Sequence, residues 1–297
     1  LRKPGLDYEQ IKDRCPRLVY GIVLGYGEEG PERDRPAFDY TTFYARSGIM
    51  GDLAVKDHPP LNPIPGLGDH TTGGFLAGGI CAALFARTAT GKGDRVTAGL
   101  YQAGLYGMGC GVVMAEHGRP FPRDREDSNT PVSCAYKCKD GEWFYVAAGS
   151  YDQQWPRICR DVLGHPELAE DPRFKDVKAT VKNVYAGVGI LDEIFIQEDL
   201  AYWDDKLNKA DIPHERLAHL KDIPNDEQAW ANRYLHEVHY PDGGKVAYPA
   251  TPVDMDSVGE KEFNVSRPLG ADTRAVLEGL GYTAEELDAM YASGAVK

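Results

Sequence analysis

Asp69 stands where a carboxylate can do chemistry. It ends a loop rich in Pro and Gly (58–68) and precedes a run of small and apolar residues, Thr71 to Ala86 (TTGGFLAGGICAALFA). A carboxylate at that junction has two uses. It can cap the helix by accepting orphan backbone N–H groups, or it can attack an activated carbonyl as a nucleophile while such N–H groups receive the oxyanion. One pair of oxygens does not fill both roles well. His70 would be a general base, but neighbouring residues on an element point apart, and a loop histidine satisfied by solvent or backbone is the plainer reading. Cys134 and Cys138 could be two metal ligands, yet no second cysteine pair follows, and no metal is expected. Tyr136, Trp143, Tyr145 and Tyr151 could wall an apolar pocket or simply fill a core.

The elements that must position these residues read as alternating strands and helices, an α/β layer. Residues 7–14 (DYEQIKDR) predict a helix and Leu18 to Leu24 (LVYGIVL) a buried parallel strand. The glycines that follow, at 25, 27 and 30, do not have the G-x-G-x-x-G spacing and no acidic residue is usefully placed after them, so a dinucleotide site is not supported. After Asp69 come a buried helix from Thr71, a stop signal at 90–93 (TGKG), a strand at Arg95 to Leu100 and a second glycine-rich helix over 101–117. The texture changes near 140, where a D-G turn opens the strand in DGEWFYVAAG. Two helices close the chain, at Thr273 to Leu280 and from Thr283, with Thr283 and Glu286 as a capping box.

Composition narrows the partners. The chain has 297 residues, 42% of them hydrophobic, which is enough for a substantial core. Its formal charge of -13 repels nucleic acid and anionic membrane, and neither is expected as a partner. The apolar run at 71–86 falls short of the roughly 20 residues that span a bilayer. Six scattered cysteines without a framework point to a reducing cytoplasm. The chain opens at Leu1 inside what reads as a helix leading to a strand, so an N-terminal segment is expected to be missing.

Residues 66–100, GLGDHTTGGFLAGGICAALFARTATGKGDRVTAGL, resemble the signature of class III CoA-transferases, the formyl-CoA and carnitine CoA-transferase family. There a loop ending in Gly-Asp runs into a small-residue helix and then a T-G-x-G-x-x-V strand start. Three further stretches agree in order and spacing: the start (GLDYEQIKDRCPRLVYGIVLGYGEEGP), the block Arg35 to Gly51, and RPLGADTRAVLEGLGYTAEEL near the end. The GLGDH wording and the FDYTTFYARSG block look closest to transferases that activate 2-hydroxy acids such as phenyllactate or 2-hydroxyisocaproate in amino-acid fermentation. The run of consecutive glycines typical of formyl-CoA transferases is lacking, which argues against oxalate or formate.

The resemblance implies a Rossmann-type large domain built from both chain ends (1–130 and 246–297), a smaller central α+β domain (131–245) and an interlocked homodimer. It implies CoA transfer from an acyl-CoA to a free carboxylic acid, with the coenzyme A thioester as substrate and no tightly bound cofactor. Asp69 would be the nucleophile, carrying the acyl group as a mixed anhydride and CoA as an aspartyl thioester, with Gly68 beside it. Lys3 falls where the family tends to carry a basic residue against the CoA phosphates; an exposed helix lysine is the alternative. In the block Arg35-Pro36-Ala37-Phe38-Asp39 the family often has a Lys and a Tyr on CoA; Pro36 and Phe38 depart from these. That leaves charge from Arg35 and stacking by Phe38, while Asp39 either bonds near the active carboxylate or makes an Asx turn.

Two other readings stay open within the resemblance. The α-methylacyl-CoA racemases carry a histidine as second acid/base where Phe38 stands, and phenylalanine cannot exchange a proton. An inactive truncated copy that binds CoA or dimerises is the other. From the α/β texture alone a nucleotide-dependent oxidoreductase is a third possibility. For the hydroxy-acid subgroup, a pathway dehydratase acting on the product is the expected partner.

Overall fold

The structure is a computed structural model that describes residues 5–259, 263 and 265–297. The chain forms a mixed α/β fold in two compact units, Leu1–Arg216 and Leu217–Lys297.

In the first unit, β1 (Tyr20–Leu24) pairs in parallel with β2 (Arg95–Gly99), with Tyr20 opposite Arg95 and Leu24 opposite Gly99. A parallel pair needs a crossover, and its long helix, α1 (Leu67–Thr90), packs back onto both strands. The absence of a side chain at Gly79 makes this possible: a Cβ there would lie 2.6 Å from Val96 Cγ1. The helix continues after β2 as α2 (Leu100–Gly107), and Met108 interrupts what the sequence predicts as one helix before Gly109–Glu116 resumes it.

Three sequence expectations fail here. Helix α1 starts at Leu67 rather than Thr71, and only Gly68, Thr72 and Ala83 of it are buried. At 24 residues it is also long and apolar enough, by length and composition, to cross a membrane. We read it as the crossover helix of the strand pair because of its contacts with β1 and β2. The reason for its exposure is geometric: two strands offer a narrow surface, so one stripe of α1 is covered while Phe75 and Phe85 remain exposed. For the same reason β1, expected to be buried, alternates between half-covered and exposed positions.

The same unit holds an antiparallel sheet in the order β3 (Ser133–Lys137), β4 (Trp143–Ala147), β5 (His214–Arg216), the first two joined by the predicted turn with Gly141 at φ +89°. Its inner face, Cys134, Tyr136, Phe144 and Val146, packs on the helices α3 (Val184–Phe195) and α4 (Leu200–Lys209). Phe195 sits at the centre, with ring centroids 4.8 Å from Tyr136, 5.0 Å from Phe144 and 5.0 Å from Trp203. Tyr136 and Tyr151 are therefore core residues, whereas Trp143 and Tyr145 lie on the outer face. A smaller cluster of Phe43, Tyr44, Leu100 and Ala103 lies beneath the π-helical turn Asp39–Ala45.

The second unit contains a hairpin, β6 (Leu235–His239) with β7 (Lys245–Pro249), and two helices, α5 (Thr273–Gly279) and α6 (Ala284–Ser293). The capping box holds: Glu286 N donates to Thr283 Oγ1, and Thr283 N donates to Glu286 Oε2.

Cys134, Cys138 and Cys159 are buried, while Cys15, Cys81 and Cys110 are exposed. Burial pushes the Cys138 and Cys159 thiols up to about 12. In the unfolded chain these thiols ionise near 9, so they contribute stability that is complete below that pH and is lost as pH rises toward about 12. Alkylation with iodoacetamide at pH 8 is expected to modify the three exposed cysteines of the folded chain and to spare the three buried ones, which react only after denaturation. Peptide mass spectrometry reads the outcome, and native labelling of Cys138 or Cys159 would contradict it.

Candidate active site

The candidate site is assembled from two segments far apart in sequence. The π-helical turn Asp39–Ala45 begins where Thr41 Oγ1 accepts the Phe38 N–H at 3.2 Å, and it turns Asp39, Phe43 and Tyr44 inward. Tyr44 donates its hydroxyl to Ile64 O at 2.8 Å, fixing the end of the Pro/Gly loop. Its phenol is held above the usual range by burial and then by the nearby Asp39 charge. The next step of the chain, Gly66, adopts φ +88°, which glycine alone takes without strain, and donates its N–H to Asp39 Oδ2 at 2.7 Å.

The helix α1 thus has no cap of its own: its N-cap is Gly66, and the capping carboxylate is Asp39, 27 residues upstream. Asp69 lies inside the first turn and is not the cap. Its side chain is exposed, and it makes no hydrogen bond or ion pair among the described residues. The first intrahelical bond, His70 N to Gly66 O at 2.8 Å, leaves the N–H groups of Leu67, Gly68 and Asp69 without intrahelical acceptors. An anionic Asp69 at this position is favoured by the helix dipole. Free N–H groups at the same turn are the donor type that an oxyanion needs.

Gly68 makes the arrangement possible. It is buried, and a Cβ there would lie 2.2 Å from Asp39 Oδ1 and 2.2 Å from Phe43 Cγ. The first turn of α1 therefore rests directly on the Asp39 turn. Asp39 Oδ1 is itself buried and has no hydrogen-bond partner among the described residues.

Of the residues picked out by sequence, the structure brings together Asp39, Gly68 and Asp69. Phe38 precedes Asp39 and is 74% exposed. Arg35 is paired with Glu32 at 2.6 Å and lies over the Tyr26 ring at 5.6 Å, so its charge is committed locally. Glu32 also holds Arg46 at 2.8 Å. Lys3 lies outside the described residues. His70 is exposed like Asp69. Phe43 and Tyr44, which support the turn, were missed; the i, i+4 spacing of Asp39 and Phe43 is the signal that could have found the first of them.

Removing the capping carboxylate is expected to cost about 1–3 kcal/mol, because Asp39→Ala leaves the Gly66 N–H unpaired in a part-buried place. Asp39→Asn keeps an acceptor there and should cost less. Urea titrations of the two variants measure the difference; equal stability of Asp39→Ala and the parent chain would remove Asp39 as the cap.

The sequence profile of CoA-transferase family III matches residues 1–273. The chain belongs to CoA-transferase family III. Among the relatives of this family III enzyme is the (R)-2-hydroxy-4-methylpentanoate CoA-transferase of Clostridioides difficile, 38% identical over 97% of this chain and 72% of the relative. The cinnamoyl-CoA:phenyllactate CoA-transferase of Clostridium sporogenes is likewise 38% identical, over 97% of this chain and 71% of its own length. A CaiB/BaiF family protein from Brucella suis superimposes with a TM-score of 0.75 at 27% identity, covering 94% of this chain and 72% of that one.

Proposed function

We propose that this enzyme moves CoA from an acyl-CoA to a free 2-hydroxy acid, with Asp69 as the covalent carrier. The observation that supports this most is the unpartnered Asp69 carboxylate on a helix start whose own cap comes from Asp39. The names of the two relatives at 38% identity support the substrate class.

In this reading Asp69 attacks the thioester carbonyl of the donor and CoA leaves as thiolate, giving a mixed anhydride. The thiolate then attacks the Asp69 carbonyl and releases the donor acid, leaving an aspartyl-CoA thioester. The acceptor carboxylate displaces CoA to form a second anhydride. Attack of CoA on the acceptor's acyl carbon completes the new thioester and frees Asp69. Each step passes through an anionic tetrahedral carbon, which the free N–H groups of the first turn suit. Keeping the thioester's free energy requires that water be excluded from the acyl group during transfer, and Asp69, exposed in the chain alone, would have to be covered by bound substrate or a second subunit. Phe38, which has no proton to exchange, supports transfer over racemisation.

The reading includes an interlocked homodimer, a large domain of Rossmann type joining residues 246–297 to 1–130, and a cytoplasmic setting in which a dehydratase consumes the product. It is tested by incubating the protein with cinnamoyl-CoA, quenching with hydroxylamine and sequencing peptides by mass spectrometry. A hydroxamate on the peptide bearing Asp69 is the expected result. CoA transfer to phenyllactate with Asp69 never modified would overturn the mechanism, and no transfer to any hydroxy acid would overturn the substrate class.

A further inference from the structure

A second polar site lies in the segment 123–135, and its arginines are unequally employed. Arg125 is fully engaged: it grips Asp192 with both ends of its guanidinium, at 3.1 and 2.7 Å, and also donates to Ala135 O at 2.8 Å and Glu126 at 3.0 Å. Arg119 donates to Asn129 Oδ1 at 3.0 Å and to Asp127 O at 3.3 Å. Arg123 makes no hydrogen bond or ion pair among the described residues, and its Nε is buried without a partner. A guanidinium N–H held out of water with nothing to bond costs about 1–3 kcal/mol or more, so it needs a reason.

Arg123 lines a cavity of about 280 Å³ together with Arg125, Ser133 and Tyr145. The nearby acids are already occupied. Asp127 accepts from Tyr185 Oη at 2.6 Å and from Asp124 N at 3.0 Å, and Asp124 faces Lys56 Nζ at 3.6 Å. The Tyr145 and Ser128 hydroxyls both donate to Ser133 O. Asp124 and Asp127 line the cavity too, and the Tyr185 hydrogen bond, with a smaller contribution from the Arg123 charge, holds Asp127 below the usual carboxylate range. Among the described residues, though, the Arg123 guanidinium itself is left without a hydrogen bond, in the same cavity as the Tyr145 ring.

We propose that Arg123 is the anchor for the carboxylate of an organic acid, with the Tyr145 ring against its apolar tail. A planar guanidinium matches a carboxylate in two parallel hydrogen bonds. The site offers one guanidinium without a hydrogen-bond partner among the described residues, with the Asp124 and Asp127 carboxylates in the same lining, which suits at most a monoanion; a pyrophosphate or a phosphomonoester would be repelled by those acids. The choice of a 2-hydroxy acid as the ligand rests on the function proposed above, whereas the preference for a carboxylate does not.

The experiment is ligand-observed NMR titration of the protein with 2-hydroxy-4-methylpentanoate, its neutral carboxamide and adenosine 3′,5′-bisphosphate, repeated with Arg123→Gln and Arg123→Lys. The acid is expected to bind the parent chain at least about tenfold more tightly than the amide, as for a charged hydrogen bond. Arg123→Gln should abolish that preference, Arg123→Lys should restore part of it, and the bisphosphate should bind all three alike. Because Arg123 makes no hydrogen bond or ion pair among the described residues, thermal melts of both variants should lie close to the parent and exclude misfolding. Equal binding of acid and amide by the parent, unchanged acid binding by Arg123→Gln, or a loss confined to the bisphosphate each overturns the site. Binding is read without turnover, so arginine-dependent acid binding in a protein that transfers no CoA would sink the transferase reading alone.

Discussion

Asp69→Ala is expected to lower CoA transfer by roughly a thousandfold or more, since a covalent nucleophile has no substitute in its own reaction. Stability should hardly move. The side chain is exposed and makes no hydrogen bond or ion pair among the described residues, so the change forfeits only the helix-dipole interaction, under about 1 kcal/mol. That combination separates a chemical role from a structural one. Asp69→Glu sharpens the test: it keeps the charge and moves the carboxylate by one methylene, which for a positioned reactant costs on the order of a hundredfold. Steady-state transfer assays with urea titrations give both numbers. Transfer retained within tenfold in Asp69→Ala would reassign the nucleophile, and a large loss of stability would return Asp69 to a structural part.

The second large effect is expected at Gly68, and its sign is decided by two opposing magnitudes. Placing alanine in a helix in place of glycine favours the folded state by about 1 kcal/mol from propensity alone. Here the new methyl would lie 2.2 Å from both Asp39 Oδ1 and Phe43 Cγ. Relieving two such overlaps in a packed site costs about 1–3 kcal/mol, and the movement that relieves them strains the Gly66 to Asp39 bond as well. A net destabilisation of up to about 2 kcal/mol is therefore expected, and with it a kcat lowered about a hundredfold, because the turn that yields is the one bearing Asp69. A Gly68→Ala protein more stable than its parent would show that propensity wins and that the turn is not seated on Asp39.

Much of this was legible in the sequence where the signal is local. The strands at 20–24, 95–99 and 143–147 follow apolar, β-branched or aromatic runs, and α6 begins where Thr283 and Glu286 say it should. The α/β character followed from that alternation. The start of α1 was not legible, because residues 66–68 read as loop; what starts the helix there is a carboxylate 27 residues before Gly66, invisible to any local rule. Met108 ends α2 without a proline or a charge to announce it. The exposure of α1 could not be read either, since its apolar run is the pattern of a buried helix and the deciding fact is how many strands lie beneath. Within the candidate site, the sequence picked out Asp69 and Gly68 from their setting and the structure places them on one turn against Asp39, whereas Arg35 carried a charge that Glu32 had already taken. Arg123 was missed because an unpaired cation is defined by what does not surround it.

The capping of α1 from outside separates two things that most loops confound. Residues 55–62 are exposed, and the segment is secured downstream, where Ile64 O meets Tyr44 and Gly66 N meets Asp39. Loop length adds little to the free energy of closure, about 0.6 kcal/mol for each doubling. Substitution and even insertion upstream of Ile64 should therefore leave the first turn of α1, and the carboxylate it carries, at the same address.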